Sequence, residues 1–134
     1  MKKPIALMMF CAMMLGLFTC STERASAIPA FNKEFQDMYF KKDSTDPKEK
    51  ALAEAITKVK CNVCHVGTKK KDRNAYGEEL NKLLDKKEDI KNAPKIQDAL
   101  KKVEAMPSDP ANPQSPTYGD RIKEGKLPAG DPAP

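Results

Sequence analysis

The sequence predicts an all-α fold, and three observations predict it. Apolar residues recur at i, i+3, i+4 and i+7 in successive windows. No window alternates apolar and polar residues as a half-buried strand does, and cap residues or Pro stand just ahead of the apolar stripes. Charged residues make up 32% and aromatic residues 6% of the 134, so a core of side chains alone is thin for one small domain.

The elements follow in order. Phe31, Phe35, Met38 and Tyr39 fall on one face of a short first helix. Ser44-Thr45-Asp46-Pro47 offers a cap followed by Pro in the first turn, and so opens a second helix with Leu52, Ala55, Ile56 and Val59 as its stripe. This helix is expected to carry Cys61 to His65 at its end and to stop at Gly67. Lys69, Lys70, Lys71, Asp72 and Arg73 have no apolar period and read as a solvated loop. Asn74 is a cap residue ahead of Tyr76, Leu80, Leu83 and Leu84, a third helix. A fourth opens near Ala93-Pro94 and carries Ile96, Ala99, Leu100, Val103 and Met106. It must end before Pro107, which has no N–H to continue the ladder. Four prolines from Pro107 to Pro116 predict an extended linker over 107–116, after which Thr117 caps a short last helix with Tyr118 and Ile122, ended by Gly125.

One internal echo stands out. Asn74-Ala75-Tyr76-Gly77-Glu78 and Pro116-Thr117-Tyr118-Gly119-Asp120 both place a Tyr-Gly pair and an acid at a helix opening, which points to shared N-terminal helix chemistry and not to duplication.

The N-terminus reads as a leader over residues 1–27. Lys2 and Lys3 form a basic start, Ile5 to Phe18 an apolar stretch too short to span a bilayer, and Ala25-Ser26-Ala27 a small-residue cleavage site ahead of Ile28. Lipidation at Cys20 is the alternative, in the poor context of Phe18-Thr19. Export to the periplasm as a single domain over 28–134 is expected, with no transmembrane segment, since no later run is apolar enough to be one. Cleavage removes Cys11 and Cys20, so that Cys61 and Cys64 are the remaining thiols. It takes Lys2, Lys3, Arg24 and Glu23 as well, lowering the 24 basic and 19 acidic residues to 21 and 18. That mild balance argues against nucleic-acid binding.

Chemistry concentrates in Cys61-Asn62-Val63-Cys64-His65. C-x-x-C-H is the attachment signature of c-type haem, in which two thiols bond covalently to the haem edge and the adjoining histidine becomes the proximal iron ligand. A plain disulfide and a Cys-Cys-His zinc site are the competing readings; the zinc site lacks a fourth protein ligand because His65 is the only histidine. One covalently attached haem c would supply the apolar mass the composition lacks, and folding is expected to be coupled to its attachment. Tyr76 and Arg73 lie close enough in sequence to His65 to reach the haem edge or pair with a propionate.

With these motifs the chain resembles a small exported mono-haem c-type cytochrome. Cys61 to Gly67, the lysine-rich loop, Arg73 to Gly77, Ser115 to Gly119 and Gly125 to Pro128 are similar to short periplasmic cytochromes c of planctomycete-type bacteria. The resemblance implies a cytochrome c-like bundle of four to five short helices around the haem. The chain departs from class I cytochromes by an extra helix before the haem motif and by lacking a long C-terminal helix. The class I resemblance favours Met106, directly before Pro107, as the distal iron ligand; Met38, a lysine, Tyr76 or no protein ligand are the alternatives. It further implies a one-electron carrier and not an enzyme, working with redox partners, acidic ones included, that dock near Lys69, Lys70 and Lys71. The alternative is a five-coordinate or weakly capped haem that binds a small gas, or a haem subunit of a larger complex.

Overall fold

Asp46 sets the first long element. Its carboxylate accepts a hydrogen bond from the Lys48 amide at 2.7 Å, and Pro47 occupies the first helical position, where its missing N–H costs nothing. The computed structural model describes residues 30–69 and 71–132. The leader expected over 1–27, Cys20, Ile28 and Lys70 lie outside them. The described chain forms α1 (Ala30–Tyr39), α2 (Pro47–Val59), a 3-10 turn (Lys60–Val63), α3 (Ala75–Leu83), α4 (Ala93–Glu104) and α5 (Tyr118–Lys123). Among the described residues there is no strand, only two isolated bridges, His65 with Arg73 and Pro107 with Thr117. None of these helices is long and apolar enough to cross a membrane.

The fourth helix organises the rest. It packs against α1, α3 and α5. The periodicity of Ile96, Ala99, Leu100 and Val103 puts all four on its buried face, where they meet Phe35, Leu80, Tyr118 and Ile122. Full burial of each of the larger apolar side chains stabilises by about 1.5–3 kcal/mol relative to exposure. Two polar ties fix α1 on α4: Gln97 Nε2 donates to the buried Glu34 carboxylate at 2.7 Å, and the Tyr39 hydroxyl donates to Glu104 at 3.0 Å. Each carboxylate is thus satisfied where it leaves water.

Two features differ from the expectations. The second helix does not carry Cys61 to His65; it stops at Val59, because Lys60 turns to φ 52°, ψ −112° and the chain tightens into the 3-10 turn. The carbonyls of Asn62 and Val63 face the side chain of Asn74 instead of a following helical turn, so the α-ladder has no successor. The Pro-rich stretch is not an extended spacer either. Ser108 N donates to Pro116 O at 2.9 Å and Tyr118 N to Met106 O at 3.0 Å, closing the loop at its base, while Ser115 Oγ accepts from Asp109 N inside it. Asx turns at Asp109 and Asn112 supply the bends that the prolines alone would not give.

The sequence echo corresponds to a structural one. Each Tyr-Gly pair follows a loop closed by an isolated bridge, and each helix opens on a side-chain cap, Asn74 to the Gly77 amide and Thr117 to the Asp120 amide. The two tyrosine rings then meet edge-on in the core with centroids 5.1 Å apart.

Candidate functional site

The site grows from one turn. Cys64 N and His65 N both donate to Cys61 O, at 3.3 and 3.2 Å, which curls Cys61 to His65 onto itself. Asn74 then locks the turn to α3 from four sides. Its Nδ2 donates to Asn62 O at 3.3 Å and Val63 O at 2.9 Å, its amide donates to Cys64 O at 3.2 Å, and its Oδ1 caps the helix through Gly77 N at 2.9 Å. Sequence reasoning finds only the cap, because the other bonds depend on which carbonyls the turn leaves open.

His65 is held by the loop that follows it. Val66 N donates to Asp72 O at 2.9 Å, and His65 Nδ1 lies 3.3 Å from the same carbonyl. A carbonyl only accepts, so Nδ1 carries the proton and Nε2 is left with its lone pair for a metal. The loop bends at Lys69, whose carbonyl accepts from Asp72 N at 3.0 Å. The lysine-rich loop therefore orients the imidazole as well as presenting charge; Lys69 and Lys71 are exposed.

The two cysteines are free thiols in unlike surroundings. Cys61 is exposed, whereas burial, with a smaller contribution from Cys61 beside it, pushes the Cys64 thiol up to about 12. Above Cys64, α3 comes so close that a Cβ on Gly77 would sit 2.0 Å from the Cys64 carbonyl oxygen. Only glycine permits that approach.

Beside the turn opens a cavity of about 230 Å³. Its walls are Cys61, Val63, Cys64 and His65 from the turn, Arg73 and Gly77, then Leu80 and Leu84, Ile96 and Leu100, and Phe31 and Phe35 from α1. Asn32, Asn81, Lys60, Lys86 and Ile90 complete it. Two thiols, an imidazole with its Nε2 available and a mostly apolar cleft are the donor set and surroundings that a covalently bound haem requires, so the residues fit that group. Among the described residues no three His, Cys, Asp or Glu side chains converge as a metal cluster, the arrangement that zinc would demand.

The other expected site residues divide. Arg73 is a wall of the cavity, with its guanidinium 3.8 Å from the exposed Glu78 carboxylate. Tyr76 is not a wall; it stands one layer behind, fully buried, edge-on to Phe35 at 6.0 Å. Its hydroxyl and that of Tyr118 have no hydrogen-bond partner. Met106 and Met38 are partly buried against the core, and neither is a wall of the cavity. Lys86 and the α1 face of Phe31 and Phe35 are the site residues that sequence reasoning missed. The helical stripe signalled that Phe31 and Phe35 are buried, not what they face. The chain matches no protein-family model, and neither a characterised relative nor a solved structure is detectably similar to it.

Proposed function

We propose that the chain is an exported c-type haem protein that carries single electrons between redox partners. The observation that carries this reading is His65. Within a Cys-x-x-Cys-His turn, its Nδ1 is held on the Asp72 carbonyl, and the ring borders an apolar cavity shared with both thiols. Haem, when bound, supplies a ferric/ferrous couple. Cys61 and Cys64 hold it through thioether bonds, and His65 Nε2 holds the iron. The Asp72 carbonyl fixes the imidazole's orientation. Arg73 is the cationic wall available to a propionate, and Phe31, Phe35, Leu84 and Leu100 exclude water. Tyr76 buttresses Phe35 from behind.

As a carrier the protein turns over no substrate. Val66 and Ile90, the large apolar side chains exposed among the described residues, follow the turn in sequence and line the cavity respectively; Lys60 and Lys86 also line the cavity, and Lys69 and Lys71 are exposed in the loop after Val66. An acidic redox partner docking there would be steered by charge and would leave readily, as transient electron-transfer encounters do. The leader directs this encounter to the periplasm.

A gas-binding haem is the second reading, favoured by one observation: neither methionine is a wall of the cavity. The test is direct. The exported protein is denatured and stained for haem, then scanned in both oxidation states. Haem that stays with the chain and cycles reversibly without binding carbon monoxide supports the carrier; tight carbon monoxide uptake supports the gas-binding reading. Haem lost on denaturation sinks both.

A further inference from the structure

Resting on the haem reading above, we propose that Lys86 is the distal ligand of the haem iron, making the site a histidine–lysine centre without a methionine. The cavity walls hold few atoms able to give a lone pair to iron. His65 is the proximal ligand, the two cysteines are consumed as thioethers, and the Arg73 guanidinium is no donor. Asn32 and Asn81 offer only neutral amides. Two amines remain, Lys60 and Lys86. Lys60 shares the 3-10 turn with Cys61 and so belongs to the wall from which the proximal ligand comes. Lys86 comes from a different part of the chain, the segment between α3 and α4, and lines the cavity together with Ile90.

The backbone on either side of Lys86 is pinned, while Lys86 itself is exposed at the rim of the cavity. Asp85 Oδ1 accepts from the amides of Lys87 and Glu88, at 2.7 and 3.0 Å, and Asp85 N donates to the Asp89 carboxylate at 2.8 Å. Asp89 is buried and is pinned in turn by Lys95 Nζ at 2.8 Å. The Asp85 and Asp89 carboxylates are thus engaged elsewhere, and among the described residues no carboxylate lies within ion-pair distance of Lys86. A long amine on a fixed turn, bordering a haem cleft and without a salt-bridge partner, is placed to ligate. As a ligand, Lys86 would bind through the Nζ lone pair with its proton released to solvent, and no electron would be transferred.

The test uses the haem-loaded protein. Ferric wild type is expected to be low-spin by electron paramagnetic resonance, without the long-wavelength band of methionine–iron charge transfer. Lys86→Ala should turn it high-spin, and Lys86→Arg should do the same, since a guanidinium keeps the charge but cannot ligate. Helical circular dichroism and covalent haem content should stay at wild-type levels in both variants, and Met106→Ala should leave the spin state unchanged. High-spin wild type, a low-spin signal indifferent to Lys86→Ala, or a methionine band abolished by Met106→Ala would each overturn the assignment while leaving covalent haem standing. A wild-type protein without covalent haem overturns the assignment together with the reading beneath it.

Discussion

A Cβ on Gly77 would lie 2.0 Å from the carbonyl oxygen of Cys64, so the first turn of α3 rests directly on the backbone of the Cys-x-x-Cys-His turn. The contact couples the loop that orients His65 to the core, because α3 also carries Tyr76 and Leu80 into it. Gly77→Ala must move backbone and not merely a flexible side chain. We expect a loss of about 3 kcal/mol in stability, read by urea unfolding, and a lower yield of covalently attached haem. A Gly77→Ala protein within about 0.5 kcal/mol of wild type would show that the approach is looser than described.

Asn74 does two separable jobs. Asn74→Ala removes a helix cap and two side-chain donors, for a combined cost of about 2–3 kcal/mol. Asn74→Asp keeps the cap oxygen but turns a carboxylate toward the Asn62 and Val63 carbonyls. If the clamp matters more than the cap, Asp should be no better than Ala; recovery of wild-type stability by Asp would assign the role to capping alone.

The two thiols should differ in reactivity. In the folded chain with both thiols free, at about pH 8, iodoacetamide should label Cys61 readily, whereas Cys64, partly buried and with its thiol pushed up to about 12, should react much more slowly until denaturant is added. Mass spectrometry of the modified peptide reads the outcome, and equal labelling of both cysteines would contradict the environments described.

The three tyrosines predict opposite responses to the same change. Tyr76→Phe and Tyr118→Phe each remove a buried hydroxyl that has no partner, and should leave stability within about 0.5 kcal/mol of wild type or raise it. Tyr39→Phe breaks the bond to Glu104 and should cost about 1–2 kcal/mol. Thermal unfolding of the three variants side by side separates them.

Acid should loosen the segment that bears Lys86. The hydrogen bond from Lys95, and then the Asp85 amide, hold the Asp89 carboxyl below its ordinary value of 3.8. A folded-state pKa that is depressed adds stability above the ordinary value, and that stability is lost as pH falls through the lowered one. Asp120 and Glu124 are shifted in the same direction, by the Thr117 cap and by Lys126. The urea midpoint should therefore fall as pH is lowered from about 5 to about 2, and the fall should be shallower in Asp89→Asn. An unchanged slope in that variant would rule Asp89 out as a contributor.

The sequence by itself determined the helices, their order and the Cys-x-x-Cys-His spacing. Those depend on spacing along the chain: apolar residues at helical intervals on Ile96 to Val103, a cap and Pro ahead of α2, a cap at Asn74, two cysteines and a histidine in five residues. Tertiary structure decided the rest. That α2 ends at Val59, that the prolines of 107–116 fold into a closed loop, and that Asn74 bonds two carbonyls of the motif are settled by contacts between residues distant in sequence. The same holds for the cavity. Whether Tyr76, Met106 or Lys86 borders it depends on how α1, α3 and α4 pack, and a helical stripe records that a residue is buried without recording what it is buried against.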